Sequence, residues 1–384
     1  MAAAPNPASP RDPPPNSRAG RTLALLAPYL RFADHLSMRL VSREWRRACR
    51  LAGRAPPPFP WLMLPAPAER APAAAARRLF YDIPAGRTYA YAVPAYHRCV
   101  ASRGGWLVLA ALDPPRRLVL ANPVTGARCV LAWPFGEKSA EGFHAVLTAS
   151  PADPACFLAV ATDRLVAYCR PGRRGGGWAT LRAPGFRYDT AGSDVVSVGA
   201  TVYLVDERRK LWRADLSAAE PKVERRDTAF AIPQGERWRH YLVESLGHVH
   251  LVVLDDHQKH MGLFRLDWHS RLWVPTAAAG LGDSVLLLGR GCSAAVPASA
   301  ALRAPGTVLV ARQPWSFLHV GSTAHGGGGG GGQQWFWTES RMGAGMEDQL
   351  VLKKTVPQRP GMFTAGDSFW FFPGIDPSER EQSR

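Results

Sequence analysis

Lysine is nearly missing from this chain: six of its 47 basic residues are lysine, so the formal net charge of +16 rests on arginine. Those arginines are scattered, form no continuous stripe and accompany no reader motif, so nucleic-acid binding is not the expected role. Arginine, alanine, glycine and proline are abundant together, which is the composition that GC-rich coding produces. Cysteine is equally sparse. Cys49, Cys99, Cys129, Cys156, Cys169 and Cys292 contain no C-x-x-C pair, which excludes the usual zinc spacings and a small disulfide scaffold. A reducing cytoplasmic or nuclear setting follows as the expectation. No run approaches the roughly 20 apolar residues of a membrane span. Met1 to Gly20 lacks the apolar core of a signal peptide, so no membrane partner is expected.

Catalytic signatures are missing too. There is no Gly-Lys-Ser/Thr phosphate loop and no Gly-x-Ser-x-Gly elbow. The glycine run Gly326–Gly332 has no strand before it or helix after it, and reads as a flexible linker. The densest set of potential ligands is His240, His248, His250, His257 and His260 with Asp255 and Asp256. His248 and His250 share one face of a strand, but His257 and His260 fall in a turn at its far end, and Asp255-Asp256 reads as turn chemistry. The expectation is therefore no enzyme, no cofactor and no metal.

What is present is a repeat. Tyr241 to Gly247, His248 to Leu254, Met261 to Asp267 and Arg271 to Pro275 are short Val/Leu-rich runs separated by polar clusters, the pattern of antiparallel strands. The order glycine, strand, polar turn, strand recurs from Gly105, Gly199 and Gly247. Those glycines stand 94 and 48 residues apart, and 94 is twice 47. The copy owed near residue 152 is found at Cys156–Ala161 and Leu165–Cys169. Several strands per repeat of about 40 to 50 residues predict a mainly β chain folded as a β-propeller of about six or seven blades over residues 79–375, with a large sandwich as the alternative. Trp106, Trp178, Trp212 and Trp273 recur with the repeat and are expected in blade packing. Leu79–Tyr81 and Tyr89–Val93 should close the ring against the C-terminal blade.

Ahead of the repeats lie a Pro-rich tail (1–20) expected to be disordered, a helical module (21–54) and a Pro/Ala linker (55–78); a short tail (376–384) follows the propeller. In the module, Leu23, Leu26 and Leu30, then Leu36 and Leu40 with Val41, Trp45 and Cys49, have helical spacing. Thr22 and Asp34 are candidate N-caps, the second for a helix running to about Arg50. Trp61-Leu62-Met63-Leu64 is too apolar for a linker left in water and should dock on the propeller or form an outer strand.

Leu30-Arg31-Phe32-Ala33-Asp34-His35-Leu36 followed by Met38 to Cys49, with Val41-Ser42-Arg43-Glu44-Trp45-Arg46 the most specific part, resembles the second half of a plant F-box. Ser42 stands at the usual cysteine, and the Leu-Pro opening of that motif is absent, so the module is partly degenerate. Gly105-Trp106-Leu107 with Asn122-Pro123-Val124-Thr125-Gly126, and the block Tyr241 to Gly289, are similar to the kelch-like F-box-associated domain of the same plant proteins. The resemblance implies a non-enzymatic, substrate-recruiting subunit of a Skp/cullin-type E3 ubiquitin ligase. Its partners would be a Skp-like adaptor, docked through Leu30, Leu36, Leu40, Val41 and Trp45, and a protein target. The competing reading is a propeller binding protein that has lost the ligase link.

If blades close a ring, a chain ending at Pro297 should be insoluble although it keeps every recognisable repeat, because an open ring exposes unpaired sheet edges. Removal of residues 1 to 54 should instead leave a soluble, folded β protein. Gel filtration and thermal melting check both; a monomeric Pro297 fragment with a sharp transition would favour the sandwich.

Overall fold

The computed structural model describes residues 21–22, 25–26, 30, 32–51, 60–63, 77–82, 87–94, 97–111, 116–135, 142–172, 177–187, 193–206, 208–226, 238–255, 261–276, 278–298, 308–310, 316–321, 336–341 and 369–371. The expected tails, most of the linker and the Gly326–Gly332 run lie outside them. The chain divides into two compact units, Met1–Pro58 and Phe59–Arg384.

In the first unit, residues 21–22 and 25–26 are helical, and two helices follow, α1 (Phe32–Val41) and α2 (Arg43–Leu51). The single helix expected up to about Arg50 is broken at Ser42, which is no accident of composition. Ser42 Oγ accepts the Trp45 amide at 3.2 Å and its carbonyl accepts Arg46 N at 3.0 Å, so Ser42 is the N-cap of α2. Asp34 sits inside the first turn of α1, where its charge suits the helix dipole. Leu30, Met38 and Trp45 pack on the buried Ala48 and Cys49. No helix among the described residues is long and apolar enough to cross a membrane.

The second unit is built from small sheets, antiparallel except for one pair in the last. Three strands open the first sheet: β1 (Trp61–Met63), β2 (Arg77–Asp82) and β3 (Arg87–Ala92). Four regular four-stranded blades follow. They are β4 (His97–Arg103) to β7 (Arg128–Ala132) through β5 (Trp106–Ala111) and β6 (Arg117–Ala121), then β8 (His144–Leu147), β9 (Leu158–Thr162), β10 (Leu165–Cys169) and β11 (Ala179–Arg182). Next come β12 (Asp194–Val198), β13 (Thr201–Val205), β14 (Leu211–Asp215) and β15 (Val223–Arg226), then β16 (Trp238–Ser245), β17 (His248–Asp255), β18 (Met261–Asp267) and β19 (Leu272–Pro275). The last sheet has five strands, β20 (Ser284–Leu288), β21 (Ala294–Pro297), β22 (Val308–Val310), β23 (Ser316–Gly321) and β24 (Phe336–Arg341). The final strand, β25 (Phe369–Phe371), returns to complete the first sheet in the order β25-β1-β2-β3.

The propeller is thus present, and among the described residues it has five regular four-stranded blades rather than the six or seven expected. The remaining sheet departs from the repeat because its order is β21-β20-β22-β23-β24, with β20 and β22 parallel. It is not a four-strand meander, and the repeat pattern in the sequence blurs at the same place. Trp61–Met63 is not an outer strand: β1 pairs with β2 on one side and β25 on the other, where its apolar side chains are covered on both faces.

The 47-residue spacing marks the turn between the first and second strands of a blade. Gly104-Gly105 links Arg103 to Trp106 with φ of 56° and 86°, the two-residue turn that suits strand twist and demands positive φ. The Asn122 to Gly126 turn works differently from a simple tolerance of turn dihedrals. Buried Asn122 accepts the amides of Val124 and Thr125 on Oδ1 at 3.0 and 3.1 Å, while Gly126 alone takes the positive φ, 78°. Asp215 and Asp267, which end the third strand of their blades, likewise accept amides at i+2, and hydrogen bonds from Ser217 and Ser270 hold their carboxyls below the usual range.

The core lies between blades. One cluster joins Trp106, Val108 and Leu120 to Phe143, Leu158 and Val160; the clusters between the next two pairs of blades carry Trp212 and Trp273, and Trp178 packs partly buried on the first. A blade buries both faces only when a neighbour covers each. The closing sheet is held by aromatics: Trp61 stacks on Tyr89 with centroids 4.8 Å apart, and Phe80 meets Phe371 at 4.9 Å. Phe371 is fully buried, so Phe371→Ala should cost about 3–5 kcal/mol, as other buried Phe truncations do. Denaturant unfolding would show this as a lowered midpoint.

Candidate interaction sites

On the helical module, the five residues expected to meet an adaptor separate into two groups. Leu30 and Trp45 pack on Ala48 and Cys49, in the module's own core. Val41, the last residue of α1, is 68 % exposed, and Leu36 is half-buried. Leu40 lies on α1, and its side chain is outside the described residues. Leu25 (76 %) and Leu26 (41 %) are also exposed, although helical periodicity had marked only Leu26 of the two.

In the propeller, the first strands of successive regular blades, β4, β8, β12 and β16, are neighbours, and β25 lies beside β4. Near the amino ends of β8 and β12, His144 Nε2 donates to Ser193 O at 2.6 Å. Asp194, which begins β12, is 1 % exposed, and its carboxylate accepts Leu242 N of the next blade at 2.7 Å and Val195 N at 2.9 Å. A third amide, Gly291 N, comes from the β20–β21 turn. Gly291 is required there: its φ is +66°, and a Cβ would come within 2.2 Å of Val100 O. β4 bulges between Cys99 and Ala101 beside it, and Ser102 N donates to Gly291 O at 3.2 Å.

A second set of contacts lies at the carboxyl ends of the same strands. Arg103 closes β4, and its Nη1 donates to Ser197 Oγ at 2.8 Å and Ser197 O at 3.4 Å. Ser197 Oγ in turn donates to Leu147 O at 3.3 Å, so three blades are joined through one hydroxyl. Ser245 Oγ and Ser284 Oγ, 3.3 Å apart, tie β16 to β20. Arg103 is half-buried, and its Nε and Nη2 make no hydrogen bond among the described residues. Glu244 acts on it as the opposing charge, and Glu244 Oε1 accepts Gly247 N at 2.9 Å. Beside Glu244, the β16–β17 turn holds Leu246 at φ 53° and Gly247 at φ 77°. A left-handed leucine costs about 1 kcal/mol relative to glycine, yet Leu246 is 71 % exposed, so burial does not offset it.

Only part of the histidine set is described. His240 and His250 are buried and His248 is exposed, while Asp256, His257 and His260 lie outside the described residues. Among the described residues no three His, Cys, Asp or Glu side chains are placed to hold a metal ion. Burial pushes His250 down to about 4, so it is a neutral core imidazole. Arg103, Asp194, Ser197 and Leu246 went unmarked in the sequence reading. Their signal is positional: each lies at an end of a blade's first strand or in the turn that follows it.

Burial pushes the Asp194 carboxyl up to about 7, against the pull of its amides and of Arg290. An unfolded Asp titrates near 4. The native chain therefore holds a proton that the unfolded chain has lost, and this contribution to stability declines as pH rises from about 4 to about 7. Measured against Asp194→Asn, the wild-type thermal midpoint should fall by several degrees across that window and then run parallel to it. A constant gap would contradict the assignment.

A family profile described as KIB1-4 beta-propeller matches residues 80–308, more than half of the chain. No curated protein matches. Among solved structures, one titled "Structure of YjhT" is similar at 13 % identity, over 68 % of this chain and 87 % of that one, with a TM-score of 0.34. A putative 6-phosphogluconolactonase from Bacteroides uniformis is similar at 14 % identity, over 57 % and 67 %, with a TM-score of 0.36. At those values neither likeness bears on activity. The profile match, over blades whose hydrogen bonds and inter-blade cores are those of a propeller, places this chain in the KIB1-4 beta-propeller family.

Proposed function

We propose that this protein is a non-enzymatic, substrate-recruiting subunit of a Skp/cullin-type E3 ubiquitin ligase, working in the cytoplasm or nucleus. The observation that carries the reading is the helical module: a compact unit of its own that leaves Val41 68 % exposed at the end of α1. Val41, Leu36 and Leu40 would meet a Skp-like adaptor, while Leu30 and Trp45 hold the helices in place from inside. The propeller would hold the protein target. The mechanism is proximity: tethering raises the effective concentration of target beside the ubiquitin-carrying enzyme and needs no catalytic residue or cofactor in this chain.

A second reading has its own support. The Leu-Pro opening of the motif is absent, and Leu30 and Trp45 are spent on the module's core. On that reading the protein descends from such adaptors and keeps only the propeller's binding role. Pull-down of a purified Skp-like adaptor by the full chain separates the two. The ligase reading expects capture that Val41→Asp reduces at least tenfold without changing the propeller's thermal transition. Absence of capture by the wild type would leave the second reading.

A further inference from the structure

We infer that the end of the propeller where its first strands finish is a peptide-binding mouth, in which Arg103 takes an acidic side chain of a protein target and Leu246 takes an apolar one beside it. The inference rests on the reading of the propeller as the target-holding module and is independent of the adaptor contact. Two observations of different kinds meet there. Arg103 is pinned through Nη1 to Ser197, which orients the guanidinium and leaves Nε and Nη2, a side-on pair of donors, without a hydrogen bond among the described residues. Such a pair fits one carboxylate in bidentate fashion. Pre-orientation by Ser197, itself held by Leu147 O, lowers the entropic cost of that contact.

The second observation is Leu246. A two-residue turn with both φ values positive favours Asn, Asp or Gly at its first position, and a leucine there gains nothing from the fold when 71 % of it stays in water. Its Cδ1 lies beside Gly282, where an added Cβ would meet it at 3.4 Å. Arg103 ends β4 and bonds Ser197 near the end of β12, and Leu246 follows Ser245 at the end of the neighbouring β16, so the cationic and apolar anchors lie at the same end of the first strands. One guanidinium opposed by Glu244 suits a single carboxylate rather than the cation cluster a phosphate group calls for. The apolar neighbour points to a protein segment, and the chain's net charge of +16 favours an acidic one.

The test is selection of a random dodecapeptide library displayed on phage against the full chain. Enriched peptides should pair Asp or Glu with Leu, Ile, Phe or Met. They should bind Arg103→Gln and Arg103→Lys at least tenfold more weakly, the second because the charge stays but the fork is lost. Glu244→Gln should bind them more tightly. Leu246→Asn should raise the thermal midpoint, by relieving the turn, and yet weaken binding at least threefold; a purely structural leucine could not do both. Failure to enrich any such peptide, or equal binding to Arg103→Gln and Leu246→Asn, overturns the inference. Should Arg103→Gln fail to fold, Leu246→Asn decides alone. Adaptor capture is read on a different protein, so a negative result in either assay leaves the other interpretable.

Discussion

Three residues near the C-terminus, Phe369–Phe371, must find Trp61–Met63 across nearly the whole sequence before the first sheet has its full set of strands. Three residues offer few hydrogen bonds against the entropy of closing so long a loop. The aromatic cluster of Trp61, Phe80, Tyr89, Tyr91 and Phe371 supplies what the backbone cannot. Each regular blade depends on that closure, since a blade's faces are buried only by its neighbours and an open ring exposes two of them. The family profile, which ends at residue 308, does not extend to this final strand.

Around the first strands of the blades the stabilising logic changes from apolar to polar. Inter-blade cores are hydrophobic, but Asp194, Arg103 and Ser197 are buried or half-buried polar groups that bind main-chain atoms or hydroxyls of other blades. Desolvating them costs free energy unless each is hydrogen-bonded, and the geometry meets that condition through backbone amides for Asp194 and a hydroxyl for Arg103. Gly291 belongs to the same scheme: its lack of a side chain lets the turn of the irregular sheet approach β4 closely enough for Ser102 N to reach its carbonyl. The two ends of the strands then differ in consequence. Asp194 accepts its hydrogen bonds from amides within the protein, whereas Arg103 keeps donors to offer.

Much of the fold was legible because strand periodicity, turn chemistry and a 47-residue spacing are local properties. The blades from Gly105, Gly199 and Gly247 fall where the spacing put them, and the copy inferred near residue 152 is the pair Leu158–Thr162 and Leu165–Cys169, although its leading turn is not a glycine. The recurring tryptophans pack between blades as expected. The blade count was not legible, because the last sheet exchanges the meander for a parallel pair between β20 and β22, and such a pairing leaves no short-range pattern. Ser42 showed only as a departure from a motif until its hydroxyl was seen to cap α2.

By itself the sequence determined the class of fold and the hairpins that follow each repeated glycine, since these follow from residue types at short spacings. Only the tertiary structure decided that Trp61–Met63 is an inner partner of the C-terminal strand, that Leu30 and Trp45 pack, partly buried, on the helical module's core, and that Leu246 stands in water in a left-handed turn. Leu246 looks like the continuation of an apolar strand, and Arg103 like one more scattered arginine, until the ring brings the ends of β4, β8, β12 and β16 together. Those positions are distant in sequence and share no periodicity, so their meeting is a property of closure, which no local pattern encodes.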